Sequence, residues 1–158
     1  MTLPEQERER FCQVLHHSRT SLYRLAFSIT RNSSDAQEAV AEAVCRAYER
    51  YPQLREKEKL PRWLLKITAN EARRLCQRRG RTVSLDDLPT EPAIPGRETG
   101  DDTLWQAVQT LPRDQREAVV LFYYEDLPTE EIARIVGTSP GAVRVRLSRA
   151  REKLRSIL

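Results

Sequence analysis

The carboxyl-terminal stretch of this chain, residues 127–158, reads LPTEEIARIVGTSPGAVRVRLSRAREKLRSIL. Thr129 is placed to cap a short helix that Gly137 ends. Ser139 and Pro140 are placed to start a second helix, the first as its cap and the second at its first turn. Only about three residues then separate the two helices, a spacing typical of a helix-turn-helix. This pattern decides the predicted fold of the carboxyl-terminal part of the chain.

The last helix of this segment has two different faces. Apolar side chains recur at steps of three and four residues and form a stripe that faces a core: Val143, Leu147, Ala150, Leu154 and Ile157. At about 100° per residue, the opposite face carries Gly141, Arg144, Val145, Ser148 and Arg149. A recognition helix presents such a face to the DNA major groove. The alternative is an ordinary solvated basic helix, but the paired caps, the short turn and the preceding helix favour DNA binding.

Length and composition restrict the class of protein. The chain has 158 residues, of which 39% are hydrophobic and 32% charged, with a net charge of +4. No apolar run approaches the roughly 18 residues of a membrane span, and residues 1–10 lack the apolar core of a secretion signal. We therefore expect a cytoplasmic protein that is not inserted into a membrane. The basic excess suits a polyanion, while 23 acidic residues indicate surfaces with another purpose.

The sequence contains no pattern typical of catalysis or metal binding. Cys12, Cys45 and Cys76 are far apart and have apolar neighbours, so we expect buried thiols. His16 and His17 are adjacent and would point about 100° apart on a helix, unlike the ligand pair of a metal site. Neither a glycine-rich phosphate loop nor a cluster of nucleophile, base and acid is present. The expectation is a protein that is not an enzyme and has no cofactor, metal or small-molecule substrate.

Two helical blocks and a linker are predicted. No alternation of period two extends beyond a few residues, so the fold class is all-α, with two small helical domains joined by a flexible linker. The linker is residues 81–102, which are rich in proline and glycine and, if extended, span on the order of 70 Å. The domains are residues 1–80 and 103–158. With a linker of this length, they need not touch each other.

The first domain is expected to contain three helices. Ser34 and Gln37 form a capping box that starts the second helix. The acidic ridge on the exposed side of this helix consists of Asp35, Glu38 and Glu42. The third helix begins near Pro61. A second cationic patch at its end contains Arg73, Arg74, Arg78, Arg79 and Arg81.

Taken in order, these segments resemble the extracytoplasmic-function (ECF, group 4) sigma factors of the sigma-70 family, which have a sigma-2 domain, a linker and a sigma-4 domain. The resemblance extends over nearly the whole chain. Its sigma-2 part rests on residues 23–26, 35–40 and 62–67 with Asn70, and its sigma-4 part on residues 111–112, 131–133, 141–144 and 149–154. It implies a dissociable subunit that directs RNA polymerase to promoters, assists promoter melting and is regulated by an anti-sigma factor.

The resemblance also implies roles for individual residues. The acidic ridge matches the surface that binds the core polymerase. Asn70, Arg73 and Arg74 match the helix that meets the minus-10 element, and the exposed face of the last helix matches the positions that read the minus-35 element. The chain departs from the family at Ala41, where glutamine is usual, and in residues 54–60, where charged residues replace glycine and aromatic residues.

Two other functions remain open on the sequence alone. A stand-alone helix-turn-helix regulator would bind duplex DNA without polymerase. A sigma-like interaction protein would occupy polymerase or an anti-sigma factor without initiating transcription. Polymerase binding and the production of transcripts distinguish these alternatives.

Overall fold

The computed structural model describes residues 3–80 and 102–158. Its α-helices are α1 (Glu5–Thr30), α2 (Ser33–Arg50), α3 (Leu60–Arg78), α4 (Asp102–Gln109), α5 (Arg113–Val119), α6 (Thr129–Val136) and α7 (Pro140–Ile157). Short 3-10 turns lie at Tyr51–Gln53 and Lys57–Lys59, and a π-helical turn, Val120–Tyr124, continues α5. Within the described ranges there is no strand, and the all-α prediction is confirmed. The predicted linker lies outside the described residues except for Asp102, where α4 begins.

Helices α1, α2 and α3 form the first bundle. The buried side of α2 carries an alanine seam: Ala36, Ala39, Ala43 and Ala47. The distance between packed helices depends on the side chains at their contact, so these short side chains let α2 lie close to α1 and α3. Leu22 and Leu25 of α1 and Leu64 of α3 are fully buried in the same core.

Helices α4 to α7 form the second bundle, with α5 packed against both α4 and α7. Trp105 of α4 is almost completely buried, together with Leu111 in the turn that follows. Val143, Leu147 and Ala150 of α7 face the same core, as their spacing predicts. Ile157 does not, because its side chain is 51% exposed. The predicted stripe is therefore one residue too long.

The two bundles pack directly against each other, although the predicted linker is long enough to keep them apart. Helix α5 and the π-helical turn contact α1, while α6 contacts α3. The rings of Phe27 and Trp105 lie 6.3 Å apart across this boundary. Arg116 of α5 is buried, and its Nε–H donates to the carbonyl oxygen of Ser28 on α1 at 2.7 Å. The hydrophobic core is consequently continuous from one bundle to the other.

The three cysteines do not occupy the positions expected from the sequence. Cys12 and Cys45 are exposed, and only Cys76 is half-buried, with its thiol 3.8 Å from the carbonyl oxygen of Ile29. Burial raises the pKa of the Cys76 thiol. The expectation of three buried thiols is wrong because apolar neighbours in the sequence of a helix lie about 100° away around its axis.

The amino-terminal cap of α2 is Asn32 rather than Ser34. The Asn32 side-chain oxygen accepts a hydrogen bond from the backbone N–H of Asp35 at 2.9 Å. Ser34 already lies inside the helix and is exposed. The predicted capping box with Gln37 is therefore wrong by two residues, since asparagine is as good a cap as serine and comes first in the chain.

We predict that Asn32→Ala lowers the free energy of unfolding by about 1 kcal/mol, because the Asp35 N–H loses its acceptor. Ser34→Ala is the matched control and should change stability by less than about 0.5 kcal/mol, since the side chain is an exposed helical one. Urea denaturation followed by circular dichroism measures both. Equal losses in the two variants would show that the Asn32 cap does not stabilise α2.

Candidate nucleic-acid and polymerase interfaces

Helices α6 and α7 form the helix-turn-helix. Ser139 caps α7 by accepting a hydrogen bond from the backbone N–H of Ala142 at 3.1 Å, as predicted. Gly137 ends α6 in the left-handed conformation with φ of 75°, which a glycine adopts without strain. Thr129 is not the cap of α6 but its first residue, because Pro128 occupies the cap position and provides no side-chain hydrogen bond. Helix α6 ends at Val136 and α7 begins at Pro140, so the turn between them has the predicted three residues.

The predicted recognition face of α7 is open to solvent. Arg144, Val145, Ser148 and Arg149 are all exposed. Val145 is one of five large apolar residues that are exposed in the described part of the chain. Within residues 3–80 and 102–158, Arg144 and Arg149 form no ion pair. Gly141 is half-buried at the start of the same helix. The structure thus brings the five predicted residues together within the first ten residues of α7.

Two other arginines of α7, Arg146 and Arg151, contact side chains of α5 and of the π-helical turn. Arg146 lies 3.8 Å from a carboxylate oxygen of Asp114 on α5. Arg151 donates from Nε to the Tyr123 hydroxyl oxygen at 2.6 Å and stacks over the Phe122 ring. Arg146 and Arg151 are therefore engaged within the protein, unlike Arg144 and Arg149 on the recognition face.

An apolar recess of about 400 Å³ lies at the far end of α7. Its apolar lining comes from Leu104, Val119, Tyr123, Leu154 and Leu158. Leu104, Tyr123 and Leu158 are exposed side chains, and Arg151 and Arg155 stand at the edge. The recess therefore combines exposed apolar surface with positive charge.

The acidic ridge lies along α2 and is partly neutralised at its amino-terminal end. The Arg79 guanidinium is 2.8 Å from a carboxylate oxygen of Asp35 and 3.3 Å from one of Glu38. Glu42 pairs with Arg46 one turn further along at 3.3 Å. Glu38 and Glu42 keep about half of their side chains exposed, whereas Asp35 is largely covered. Glu38 and Glu42 are thus the accessible acids of the ridge.

A buried carboxylate that the sequence analysis missed connects α2 with α3. Glu71 is 5% exposed and lies 3.0 Å from Arg46 and 3.2 Å from Arg74. It stands one turn from Ile67 and one turn from Leu75 on the buried side of α3. That spacing is the signal in the sequence, because an acid inside an apolar stripe requires a partner. Glu71 therefore holds Arg46 of α2 and Arg74 of the predicted minus-10 site beside each other.

The three residues predicted to meet the minus-10 element differ in accessibility. Asn70 is exposed, and Arg74 is about half exposed while paired with Glu71. Arg73 is only 26% exposed, because its guanidinium lies 2.9 Å from the buried carboxylate of Glu117 on α5. The structure therefore places Arg73 at the boundary between the two bundles and leaves Asn70 and Arg74 outside it.

Two further observations concern ions and membranes. No group of three or more histidine, cysteine, aspartate or glutamate side chains in the described part of the chain could hold a metal ion. Among the helices described, none has the length and apolar character needed to cross a membrane.

A helix-turn-helix with an open recognition face, on the same chain as a bundle with an acidic ridge and an arginine-rich helix, defines a transcription factor that contacts DNA and a protein partner. The family model for sigma-70 region 2 matches residues 14–82, and that for sigma-70 region 4 matches residues 101–154. The chain belongs to the extracytoplasmic-function group of the sigma-70 family of RNA polymerase sigma factors. Its function is promoter-specific initiation of transcription.

Two relatives and two solved structures illustrate the similarity. The chain is 33% identical to the RNA polymerase sigma factor SigV of Bacillus subtilis, over 84% of this chain and 81% of SigV. It is 32% identical to the ECF sigma factor EcfG of Rhodopseudomonas palustris, over 87% and 79%. The sigma factor RpoE of Bartonella quintana, solved with the anti-sigma factor NepR, matches with a TM-score of 0.75 and 26% identity, over 98% and 97%. CnrH, solved with the cytosolic domain of CnrY, has the same fold, with a TM-score of 0.66, 22% identity and coverage of 94% and 87%.

We predict that Gly141→Ala raises the free energy of unfolding by about 0.5 kcal/mol, because it removes backbone freedom from the unfolded chain. A Cβ at this position would lie 3.9 Å from the Arg144 guanidinium and 4.0 Å from the Ser139 hydroxyl, which are ordinary contacts. If DNA approaches the backbone here, the same variant binds minus-35 DNA more weakly. Urea denaturation and transcription assays separate the two effects. A loss of stability would contradict the prediction.

Proposed function

We propose that residues 103–158 read the minus-35 element through Gly141, Arg144, Val145, Ser148 and Arg149. The observation that carries this proposal is the exposure of the four larger side chains within the first ten residues of α7. An arginine can bind the edge of guanine through two hydrogen bonds, and the valine offers an apolar contact to a thymine methyl group. Two arginines and one valine on one helical face therefore suit a short sequence containing both bases.

The residues that we assign to the minus-10 element are Asn70, Arg73 and Arg74, within a domain of residues 1–80. Their position on α3, which packs against the helix that carries the acidic ridge, supports this assignment. Cationic side chains bind the backbone of a separated strand, and opening of the DNA becomes favourable only if the chain binds the open form better than the duplex. The chain then assists promoter melting by binding the open form, as a factor without catalytic activity, cofactor or metal.

The core polymerase is proposed to bind the acidic ridge. Glu38 and Glu42 are the exposed members and form the centre of this contact. Asp35 takes part when Arg79 is displaced, because Arg79 covers it in the free chain. Since polymerase and chromosomal DNA are in the bacterial cytoplasm, we place this protein there as well.

An anti-sigma factor is the proposed regulator. Two proteins share this fold. RpoE of Bartonella quintana was solved with the anti-sigma factor NepR, and CnrH was solved with the cytosolic domain of CnrY. The apolar recess at the end of α7 offers a surface for an amphipathic helix, and Arg151 and Arg155 at its edge favour an acidic one. The recess therefore supports regulation of this chain by such a partner.

Transcription from a genomic library with purified core polymerase tests the function as a whole. If the 5′ ends of the transcripts follow a shared two-part promoter, both elements are identified at once. Polymerase binding without such transcripts would instead indicate a sigma-like interaction protein. Binding of duplex DNA without polymerase would indicate a stand-alone regulator.

We predict that Arg149→Ala relaxes the choice of minus-35 sequence, with a loss of about 1 to 3 kcal/mol of discrimination at one base pair and no change in polymerase affinity. Arg155→Ala is the comparison variant, because this exposed arginine lies outside the recognition face. If Arg155 contacts phosphate, its substitution weakens binding to all promoters similarly. Sequencing of transcripts from a randomised minus-35 library measures both. Uniform weakening in both variants would contradict base reading by Arg149.

We also predict that Glu38→Lys weakens the binding of core polymerase and leaves the minus-35 preference unchanged. The substitution reverses the charge of an exposed ridge residue and places a cation beside Arg79. Glu9→Lys is the matched control, since Glu9 is exposed on α1 and lies outside the ridge. Fluorescence titration with core polymerase measures the affinity. Equal affinities of the two variants would exclude Glu38 from the contact.

A further inference from the structure

Four side chains of alternating charge are joined by ion pairs across the groove between α2 and α3. The Arg46 Nε atom lies 3.3 Å from a carboxylate oxygen of Glu42 and 3.0 Å from one of Glu71. The Arg74 guanidinium lies 3.2 Å from Glu71, and all four side chains line the groove, which has a volume of about 330 Å³. We call Glu42, Arg46, Glu71 and Arg74 the ion-pair chain. It connects an acid of the ridge to an arginine assigned to the minus-10 element.

The two middle members of the ion-pair chain each have two partners. Arg46 and Arg74 both approach the same oxygen atom of Glu71, Oε2. The Arg46 Nε atom is buried, yet it forms no well-aligned hydrogen bond with either carboxylate. One N–H can point at only one of two acceptors at a time, because a hydrogen bond weakens steeply as it bends. A stronger contact of Arg46 with one carboxylate therefore weakens its contact with the other.

The members of the ion-pair chain differ in their access to solvent. Glu42 and Arg74 each keep 51% of the side chain exposed, whereas Glu71 keeps 5%. A binding partner can therefore reach the two ends of the chain but not Glu71. A buried carboxylate needs cationic partners, because an unpaired charge is costly away from water. If one of its two arginines is drawn away, Glu71 depends on the other.

We propose that Glu71 is a positioning residue through which polymerase bound at Glu42 releases Arg74 to the minus-10 strand. A polymerase cation that pairs with Glu42 leaves Arg46 to Glu71. Arg46 then satisfies the buried carboxylate, and Arg74 can turn to a DNA phosphate at a smaller cost. The inference rests on the proposed function, because it uses the assignment of the ridge to polymerase and of α3 to the minus-10 element.

The coupling acts in both directions. A phosphate that draws Arg74 away leaves Glu71 to Arg46, which frees Glu42 for a polymerase cation. Two ligands that favour the same rearrangement raise each other's affinity by the same factor. The rearrangement needs only side-chain rotations, because neighbouring members of the ion-pair chain are already within 3.3 Å of each other. Binding at the ridge and binding at α3 are therefore cooperative without movement of either helix.

The test uses the full chain without polymerase and a fluorescent single-stranded oligonucleotide of mixed sequence, about 12 nucleotides long. Glu42→Gln removes the charge that holds Arg46 to the ridge, and so imitates the pairing of Glu42 with polymerase. Glu49→Gln is the control, since it makes the same change in net charge at an exposed position of the same helix, outside the ion-pair chain. We expect Glu42→Gln to bind the oligonucleotide about threefold more tightly than Glu49→Gln. Fluorescence anisotropy at fixed salt measures both affinities.

A double-mutant cycle separates the coupling from a direct electrostatic effect on the strand. Glu71→Gln keeps the shape of the side chain and removes the shared carboxylate. In that background, Glu42→Gln and Glu49→Gln should raise the affinity for the oligonucleotide equally. Arg46→Met, which keeps a long side chain, should give the same result, and it replaces Glu71→Gln if circular dichroism shows that the latter does not fold. A purely structural role of Glu71 would change the affinity but leave the difference between the two variants intact.

Tighter binding by Glu42→Gln than by Glu49→Gln, with a difference that disappears without Glu71 or Arg46, supports the proposal. Equal affinities of the two variants, or no measurable binding by Glu42→Gln, would overturn it. A difference that persists without the middle of the ion-pair chain would also overturn it, because Glu42 would then act on the strand directly.

Arg74→Ala tests the underlying assignment separately. If this variant binds the oligonucleotide as tightly as the unmodified chain does, Arg74 does not contact the strand and both the assignment and the coupling are wrong. If it binds more weakly while Glu42→Gln and Glu49→Gln have equal affinities, the assignment stands and only the coupling fails. Neither measurement needs polymerase, so failure here is distinguishable from the absence of transcripts in the library experiment.

Discussion

The buried guanidinium of Arg116 holds together helix ends that the rest of the structure depends on. The last turn of an α-helix leaves carbonyl oxygens without partners inside the helix. Arg116 donates to the carbonyl oxygen of Ser28 in the last turn of α1 and to that of Leu111 after α4. Burial lowers the pKa of Arg116 to about 10, which still leaves it charged at neutral pH, where a cation is favourable at a helix carboxyl terminus. One side chain thus satisfies backbone groups of both bundles and fixes how α5 lies on α1.

Much of the secondary structure follows from patterns within one helix, and these could be predicted from the sequence. The apolar spacing of Val143, Leu147 and Ala150 and the cap at Ser139 depend on residues a few positions apart. The contacts between the bundles do not: Arg73 and Glu117 are 44 residues apart, and other contacts across the boundary join residues up to 101 positions apart. A buried charge is recognisable in a sequence only when its stripe is otherwise apolar, whereas its partner depends on the tertiary fold. The exposed recognition face was therefore predictable, and the coverage of Arg73 was not.

The two basic surfaces of the molecule differ in what surrounds them. The face of α7 has no ion pairs for Arg144 and Arg149 among the described residues, while the arginines on the bundle boundary are matched by carboxylates. This difference accounts for many acidic residues in a protein with a basic net charge. Some acids form the ridge, and others lie against arginines inside the molecule. Net charge alone therefore does not distinguish the exposed arginines of α7 from the paired arginines at the boundary between the bundles.

The alanine seam of α2 has a consequence for how the chain is presented to its partner. Alanine has no side-chain rotamers, so Ala36, Ala39, Ala43 and Ala47 offer the neighbouring helices only one shape. A seam of leucines could be repacked in several ways, each with a different tilt of the helix. Here the backbone of α2 itself rests on its neighbours, and the row of acids on its outer side keeps one height and one angle. Helix α2 is therefore held rigidly, and a protein that binds its outer side is placed in a fixed orientation relative to the rest of the first bundle.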